Sequence, residues 1–265
     1  MAENFRQREI LDLARKDGKV TVEGLAAQYG VTVQTIRRDL ADLAQAGRLA
    51  RVHGGAVLPP SGVLNIVYAE RRRLNAAGKQ AIALACAQRI PNGASVFLNI
   101  GTTTEAVARA LLGHDKLMVV TNNLNIANTL AANPGIDVIL TGGTLRRTDG
   151  GLVGGLTAQM LGQFKFDVAV LGCSAIDADG DLLDFDEQEV MVSRSAMTRA
   201  RRVMVVADHL KFGRRAPLTI CALRDVGVLF TDRALPPALA RKTEDWGTQV
   251  VTALPAPHPT ATGET

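Results

Sequence analysis

The sequence predicts an α+β multidomain protein, in which a small helical domain with a β-hairpin precedes a larger α/β domain. Two patterns lead to this fold class. Residues 5–57 hold short helical patterns separated by glycines, whereas residues 95–230 hold short apolar runs with little alternation, as strands buried on both faces of a parallel sheet do. The composition, 47% hydrophobic and 21% charged among 265 residues, is that of a globular protein and not of a disordered chain.

Proline-rich stretches set the expected domain boundaries. Pro59 and Pro60 break regular structure, and further prolines lie near the end of the sequence. We therefore predict a first domain over residues 1–58, a linker over 59–75, a second domain over 76–253 and a disordered tail over 254–265.

Positive charge is concentrated at the beginning of the chain. Residues 1–75 hold 12 Lys or Arg against 8 Asp or Glu, which accounts for the whole formal net charge of +4. This imbalance indicates a polyanionic partner for the first domain. Within the linker, the run Arg71–Arg73 either contacts phosphates or forms a solvated helix face, and we favour the solvated face.

Three short helices are predicted in the first domain. The first covers residues 5–17, the second begins after Thr21 and ends at Gly30, and the third begins after Thr32 and ends at Gly47. The apolar residues of the third helix, at helical spacing and expected to be buried, are Val33, Ile36, Leu40 and Leu43. Two short helices joined by a glycine-containing turn match a helix-turn-helix.

The opposite face of the third helix carries the side chains that DNA recognition needs. Gln pairs with adenine, Arg pairs with guanine, and Arg or Thr binds phosphate. Asp39 interrupts this face and is expected to pair with an arginine of the same chain. A solvated amphipathic helix is the alternative, which the ordered succession of helix, turn and capped helix disfavours.

A β-hairpin, or wing, is predicted beside that helix over residues 48–57. Apolar and polar residues alternate before Gly54 and Gly55, which suit a tight turn. The predicted DNA-binding residues, from the helix caps, the third helix and the wing, are Thr21, Thr32, Gln34, Thr35, Arg37, Arg38, Arg51 and His53.

The second domain is predicted to contain a parallel sheet. Its apolar runs are Ser95–Leu98, Leu117–Val120, Asp137–Leu140, Val168–Leu171, Val203–Val206 and Val226–Phe230. Helical patterns between them lie at Glu105–Leu112, Asn125–Ala132 and Glu187–Arg199, and another helix is expected from Ala69 to Arg89.

The segments that follow the strands are rich in small, hydroxyl, amide and cationic residues. Because ligands of open parallel sheets bind beyond the carboxyl ends of the strands, these segments predict a pocket for a small anion. Within Gly101–Glu105, Thr102 and Glu105 have the spacing of a capping box, and the N–H groups of a helix start suit a phosphate. A plain helix cap without a ligand is the alternative. The predicted effector-binding residues are Gly101, Thr102, Thr103, Thr104, Asn122, Gly142, Gly143, Arg146, Asp208 and Lys211.

An acidic cluster keeps an enzyme hypothesis open. Asp177 or Asp179, together with Lys211, would give a sugar-phosphate isomerase its carboxylate base and cation. We favour a solvated turn rich in Asp and Gly, because the DNA-binding module gives the pocket another purpose, and we expect no catalytic residues. Another hypothesis is a constitutive architectural DNA-binding protein, which would bind DNA independently of any ligand.

Cofactor, metal and membrane partners are not expected. The sequence lacks the dinucleotide and P-loop glycine motifs, and it has no C-x₂-C pair or histidine cluster for zinc. No apolar run approaches the length of about 18 residues that spans a bilayer. Cys86, Cys173 and Cys221 lie far apart in sequence, which suits buried thiols in a reducing cytoplasm, so a cytoplasmic location is expected.

Several motifs resemble the DeoR family of bacterial transcriptional regulators. In the first domain these are T-I-R-R-D-L at 35–40 and G-R-L-A-R-V-H-G-G-A at 47–56. In the second domain they are I-P-N-G at 90–93, G-T-T-T-E-A-V-A-R-A-L-L at 101–112, T-N-N-L-N-I-A-N-T-L at 121–130, G-G-T-L-R at 142–146, D-G-G-L-V-G at 149–154 and D-H-L-K-F-G-R at 208–214. The resemblance covers residues 1–235.

This resemblance implies both a fold and a function. It implies a winged helix-turn-helix whose third helix enters the major groove, and a sensor domain similar in fold to sugar-phosphate isomerases such as ribose-5-phosphate isomerase. It also implies a homo-oligomeric repressor, dimer or tetramer, of glycerol and glycerol-3-phosphate metabolism genes. A small phosphorylated effector, glycerol 3-phosphate, would release this repressor from operator DNA, and a different sugar phosphate is the alternative effector. Asn99 departs from the Asp that the family usually has, which removes a charge near the ligand.

Overall fold

The chain divides into two compact units, residues 1–65 and residues 66–265. The computed structural model describes residues 5–17, 19–45, 48–52, 54–57 and 68–254. Most of the predicted linker, up to residue 67, and residues 255–265 of the predicted tail therefore lie outside the described residues. Residues 68–73, also within the predicted linker, form a helix.

The first unit holds three helices and a three-stranded sheet. Its elements are α1 (Phe5–Asp17), β1 (Lys19–Thr21), α2 (Val22–Tyr29), α3 (Val33–Gln45), β2 (Ala50–Val52) and β3 (Gly55–Val57). The strands pair antiparallel in the order β1-β3-β2, and β2 and β3 form the predicted wing. Position 55 requires glycine, because a Cβ there would stand 2.0 Å from the carbonyl oxygen of Val20.

The core of the first unit forms on the inner face of α3. Ile36, Leu40 and Leu43 are buried there in one cluster with residues of α1, α2 and the sheet, as the helical spacing predicts. The predicted burial of Val33 is wrong, since its side chain is 36% exposed. Val33 is the first residue of α3 and precedes the turns that pack in the cluster.

The second unit alternates helices and strands. Its first half consists of α4 (Tyr68–Arg73), α5 (Ala76–Ala87), β4 (Ser95–Leu98), α6 (Thr102–Ala110), β5 (Leu117–Thr121), α7 (Leu124–Leu130), β6 (Ile136–Leu140), β7 (Thr144–Arg146), β8 (Gly151–Val153) and α8 (Gly155–Leu161). Its second half consists of β9 (Phe166–Leu171), β10 (Ala175–Ile176), β11 (Asp181–Asp184), α9 (Glu187–Thr198), β12 (Ala200–Val206), β13 (Leu218–Ala222), β14 (Val228–Thr231), α10 (Pro237–Trp246) and β15 (Gln249–Thr252). Short 3₁₀ helices lie at Leu111–Gly113, His209–Lys211 and Leu223–Asp225.

A seven-stranded parallel sheet in the order β15-β14-β12-β9-β4-β5-β6 forms the centre of this unit. It contains all six predicted strands, which confirms the α+β multidomain class. The chain runs outward from β4 to β5 and β6, and then returns to place β9 on the other side of β4. The strand order therefore reverses between β4 and β9, which is the switch point where such sheets bind ligands.

The helix predicted from Ala69 to Arg89 is instead two helices. The break comes at Asn75, whose φ of 49° is left-handed and cannot continue a helix. Gly78 lies in the first turn of α5, where a Cβ would stand 2.5 Å from the Asn75 side chain and 2.6 Å from that of Asp232. Close packing of this corner therefore explains the glycine.

No helix in the described part of the chain is long and apolar enough to cross a membrane. The same residues hold no cluster of His, Cys, Asp or Glu arranged to bind a metal ion. Cys86 and Cys173 are buried free thiols, and Cys221 is half-buried.

Candidate functional site

The outer face of α3 carries exposed cations. Arg37, Arg38 and Gln34 are exposed, with Thr35 half-buried beside them. Neither arginine forms an ion pair with another residue that the structure describes. Asp39 is 5% exposed and accepts a 2.6 Å hydrogen bond from Arg6 Nε, which confirms its predicted pairing with an arginine. Its charge is therefore compensated on the inner side of α3, and the outer face keeps its positive charge.

Hydroxyl caps begin α2 and α3, and a left-handed glycine ends α2. Thr21 Oγ1 accepts from the Gly24 N–H at 3.1 Å, and Thr32 Oγ1 accepts from the Thr35 N–H at 3.2 Å. Gly30 ends α2 with a φ of 61°, a conformation that favours glycine. Both predicted caps are confirmed, and together they give the helix-turn-helix geometry.

The predicted DNA-binding residues of the wing are Arg51 and His53. The backbone of Arg51 lies in β2, but its side chain lies outside the described part of the structure. His53 lies outside the described residues altogether.

A pocket opens at the switch point of the sheet. It is lined by the loop after β4, the loop after β9 and the end of β12 with the 3₁₀ turn that follows it. Of the predicted effector-binding residues, Gly101, Thr102, Thr103 and Lys211 line it. The other lining side chains that carry charge belong to Arg71, Asp184 and Glu189.

The start of α6 faces this pocket without a side-chain cap. Gly101 is the residue before the helix, and no side chain accepts the first N–H groups. The predicted capping box is therefore wrong: the Glu105 carboxylate instead accepts from Tyr68 Oη at 2.7 Å and Asn123 Nδ2 at 3.2 Å. Since the first N–H groups of a helix have no partner within it, the backbone of Thr102 and Thr103 offers donors to an anion.

Thr104 has a different role from its two neighbours. Its side chain is fully buried, and its hydroxyl lies 2.8 Å from the Asn99 carbonyl oxygen and 2.9 Å from that of Gly101. The hydroxyl therefore fixes the loop that precedes α6 rather than lining the pocket.

Lys211 brings to the pocket an ammonium group that has no direct partner among the described residues. Among the described residues it makes no hydrogen bond or ion pair through its side chain. Burial lowers the pKa of Lys211, while the nearby Cys173 and Asp208 act to raise it. Removing this cation from water without a partner is unfavourable, so a bound anion would stabilise it.

Two carboxyl groups also line the pocket. Asp184 accepts from Ser174 Oγ at 3.0 Å and from the Phe185 N–H at 2.7 Å, and burial raises its pKa. Burial and the neighbouring Asp184 raise the pKa of Glu189 to about 8, against the opposing effect of Arg146. Carboxyl groups of this kind accept hydrogen bonds from ligand hydroxyls.

Arg146 is fully engaged with carboxylates and is not among the residues that line the pocket. Its guanidinium binds both Asp149 oxygens at 2.9 and 2.7 Å, Asp186 at 2.8 Å and Glu189 at 2.7 Å. The sequence predicts a cation for the ligand here, whereas the structure places Arg146 in a carboxylate cluster outside the pocket lining.

Four further predicted residues stabilise neighbouring loops and are not among the lining residues. Asn122 Nδ2 donates to the Leu152 carbonyl at 2.9 Å, and the Gly142 carbonyl accepts from Thr157 Oγ1 at 2.7 Å. Asp208 Oδ1 accepts from the Leu210 N–H at 3.0 Å and caps the 3₁₀ turn that carries Lys211. Gly143 follows Gly142, and a Cβ there would stand 2.1 Å from Thr157 Oγ1.

The acidic segment considered as an isomerase site is the predicted turn. Asp177 Oδ1 accepts from the N–H groups of Asp179 and Asp181, both at 2.9 Å, and Lys242 lies 3.0 Å from the Asp179 carboxylate. Neither Asp177 nor Asp179 lines the pocket.

Three ionisable residues that line the pocket, Arg71, Asp184 and Glu189, are not among those predicted from the sequence. Arg71 lies in the run Arg71–Arg73, where composition alone does not distinguish one arginine from the next. Glu189 is one of several acidic residues around the start of α9, and only the tertiary fold buries it.

Two family models match the chain, one within each of its two compact units. A family model of the DeoR-like helix-turn-helix domain matches residues 6–61, and one of the DeoR C terminal sensor domain matches residues 74–233. This chain belongs to the DeoR family. It is a DNA-binding transcriptional regulator with a sensor domain, not an enzyme.

Curated relatives match this DeoR-family chain along most of its length. The glycerol-3-phosphate regulon repressor of Escherichia coli K12 is 43% identical over 245 residues, which is 92% of this chain and 97% of the relative. The repressor of the same name from Haemophilus influenzae is 47% identical over 231 residues, 87% of this chain and 90% of the relative. Among solved structures, ribose 5 phosphate isomerase A from Neisseria gonorrhoeae overlaps 51% of this chain and 52% of its own, with 13% identity and a TM-score of 0.38.

Proposed function

We propose that this DeoR-family regulator represses genes of glycerol and glycerol-3-phosphate metabolism, and that glycerol 3-phosphate releases it from operator DNA. The observation that carries the effector assignment is the uncapped start of α6 beside the unpaired ammonium of Lys211. The two relatives named as glycerol-3-phosphate regulon repressors support the choice of metabolite and genes.

The pocket offers separate groups to the two ends of such a ligand. The phosphate binds the backbone N–H groups at Gly101, Thr102 and Thr103 and the ammonium of Lys211. The glycerol hydroxyls donate to the carboxyl groups of Asp184 and Glu189. The other predicted effector residues, which are Thr104, Asn122, Gly142, Gly143, Arg146 and Asp208, hold these groups in place.

DNA recognition belongs to the exposed face of α3. Gln34, Thr35, Arg37 and Arg38 contact bases and phosphates, Thr21 and Thr32 contact phosphates at the helix starts, and Arg51 and His53 reach the backbone from the wing. The protein acts in the cytoplasm as a homo-oligomer, a dimer or tetramer. Two copies of α3 then meet successive major-groove faces of a palindromic operator, about 10 bp apart for the nearest spacing.

Release requires that the effector binds one arrangement of the regulator more tightly than another. An effector that favours the arrangement unable to fit both half-sites lowers operator affinity, for each effector bound, by at most the ratio of its two binding constants. A sensor with equal affinity for both arrangements would bind glycerol 3-phosphate without any effect on DNA.

The test uses the full chain and an operator that the protein selects from a random duplex library. Fluorescence anisotropy then measures operator affinity in the presence of glycerol 3-phosphate, glycerol, inorganic phosphate, glyceraldehyde 3-phosphate or ribose 5-phosphate. We expect glycerol 3-phosphate to weaken operator binding and glycerol to have no effect. Release by ribose 5-phosphate alone would overturn the effector assignment, and operator binding that none of these compounds changes would overturn the sensor mechanism.

A further inference from the structure

One arginine of the run Arg71–Arg73 lies in the pocket. Arg71, on α4, is a lining residue together with the start of α6 and Lys211. Arg72 is exposed, with its guanidinium carbon 5.9 Å from the ring centre of Tyr68, and Arg73 is exposed as well. The solvated helix face that the sequence predicts therefore describes Arg72 and Arg73, but not Arg71.

The Arg71 guanidinium has unused hydrogen-bond donors. Its Nη2 lies 3.5 Å from Asp149 Oδ2, which is beyond a good hydrogen bond. Both Asp149 oxygens already accept shorter bonds, of 2.9 and 2.7 Å, from Arg146. Arg71 Nε is buried and has no partner among the described residues. Because an arginine carries several N–H donors and cannot lose its charge, this group is suited to bind an anion.

The α4 helix is attached to the same structure that forms the pocket. Tyr68 Oη lies 2.7 and 2.9 Å from the two Glu105 oxygens on α6 and accepts from Asn125 Nδ2 at 2.9 Å. The buried Lys79 of α5 donates to the carbonyl oxygens of Arg71 and of Leu74, the latter at 2.7 Å. Both ends of α4 are therefore held against the helices beneath it.

We propose that Arg71 is a second cationic ligand of the effector phosphate, and that through it α4 responds to occupancy of the pocket. This inference rests on the proposed function, because it requires a phosphorylated effector. A phosphate bound between the start of α6 and the Arg71 guanidinium draws together two elements that Tyr68 and Glu105 already join. The α4 helix is the first described element of the second unit, which begins at residue 66. A ligand contact on α4 is thus a contact on the element nearest in sequence to the DNA-binding unit.

The ligand role is tested on the full chain with Arg71→Ala, Arg71→Lys and the matched control Arg73→Ala. Calorimetry measures the affinity for glycerol 3-phosphate and, separately, for inorganic phosphate. We expect Arg71→Ala to weaken both at least about tenfold, because a charged hydrogen bond is lost. Arg71→Lys keeps the charge without the planar fork and is expected to lie between Arg71→Ala and the unsubstituted chain. Arg73→Ala should bind like the unsubstituted chain.

Unchanged phosphate affinity in Arg71→Ala and Arg71→Lys would overturn the ligand role. Far-UV circular dichroism and a thermal melt identify a variant that fails to fold, in which case Arg71→Lys alone decides. Failure of the proposed function is a different result: the unsubstituted chain would bind inorganic phosphate through Arg71, but glycerol 3-phosphate would not release the operator.

The response of α4 is tested with Tyr68→Phe, which removes the hydrogen bonds of Tyr68 Oη with Glu105 and Asn125 but none of the pocket ligands. We expect glycerol 3-phosphate to bind this variant within about threefold of its normal affinity while weakening operator binding several-fold less than in the unsubstituted chain. Thr198→Val, which removes an exposed hydroxyl of α9, is the control and should respond normally. A full effector response in Tyr68→Phe would overturn the role of α4.

Discussion

Asn99 and Gly172 exchange two hydrogen bonds at the switch point between β4 and β9. Asn99 Nδ2 donates to the Gly172 carbonyl at 3.1 Å, and Asn99 Oδ1 accepts from the Gly172 N–H at 2.8 Å. The side chain is 1% exposed and also donates to Ser193 Oγ at 3.3 Å. A neutral amide therefore fastens the loop after β9 to the loop after β4, and these two loops form the pocket.

An aspartate at position 99 would keep the acceptor and lose the donor. We expect Asn99→Asp to lower the free energy of unfolding by about 1–3 kcal/mol at pH 8, because the Gly172 carbonyl is left unpaired. The loss should be smaller at pH 5. Burial raises the pKa of the new carboxyl above its unfolded value, so its protonated form donates again at low pH and stability is lost as pH rises.

Denaturant unfolding at the two pH values measures this effect. Asn92→Asp is the matched control, because Asn92 Oδ1 only accepts a hydrogen bond, from the Asp115 N–H at 3.0 Å, and a carboxylate keeps that bond. An Asn99→Asp variant as stable as the unsubstituted chain at pH 8 would contradict the fastening role.

Arg38 is predicted to contribute to sequence-specific DNA binding. It is exposed on α3, and the neighbouring Asp39 is already paired with Arg6. We expect Arg38→Ala to weaken operator binding by about 1–3 kcal/mol if the arginine binds a base in bidentate fashion. Arg241→Ala, with the same charge change on α10, is the control. Anisotropy with the operator and with a scrambled duplex measures the effect, and equal losses on both duplexes would assign Arg38 to phosphate contact alone.

The central strands of the sheet were predictable because burial on both faces leaves a continuous apolar run. The edge strand β6 was predictable from its apolar residues alone, although Asp137 and Leu140 are exposed. β15 was missed, since its outer residues Gln249 and Thr252 are exposed and the run is correspondingly short. The break between α4 and α5 was missed as well. Asn75 adopts its left-handed conformation beside Asp232, whose carboxylate accepts from Asn75 Nδ2 at 2.8 Å, and that partner is distant in sequence.

The pocket was predictable where local sequence determines geometry. A glycine before Thr102 and Thr103 at the end of a strand places the N–H groups of a helix start at the edge of the sheet. This placement does not depend on segments distant in sequence. Arg146 shows the limit of this reasoning. Its free charge was inferred from sequence, but its carboxylate partners Asp186 and Glu189 come from a segment some distance along the chain. Only the folded arrangement shows that Arg146 is fully engaged, whereas Arg71 makes one ion pair at 3.5 Å and keeps a buried Nε without a partner among the described residues.

Lys211 is predicted to be needed for the effector but not for DNA. We expect Lys211→Ala to weaken glycerol 3-phosphate binding at least about tenfold, because a charged hydrogen bond to phosphate is lost. Operator affinity without effector should stay unchanged. Calorimetry and anisotropy on the full chain provide the two measurements, with the exposed Lys165→Ala as the control for lost charge. Normal release of Lys211→Ala by the effector would remove Lys211 from the site.

Glu189 is predicted to make effector binding dependent on pH. Its pKa is raised to about 8 by burial and by Asp184, so it gains a proton as the pH falls from about 9 to about 7. The phosphate ester stays largely a dianion over this range, because its second pKa is about 6. A bound dianion favours the protonated carboxyl group, because a second negative charge beside it is unfavourable. Affinity for glycerol 3-phosphate should therefore rise from pH 9 to pH 7, with net proton uptake on binding.

Calorimetry in buffers of different ionisation enthalpy measures that uptake directly. Glu189→Gln removes one titrating group and should reduce both the proton uptake and the slope of affinity against pH. Glu187→Gln changes an exposed neighbour on the same helix and should leave both as they are. If the carboxyl group of Glu189 faces the anion, the affinity for glycerol 3-phosphate falls toward pH 9. An affinity that stays constant or rises toward pH 9 would refute this arrangement of charges around the pocket.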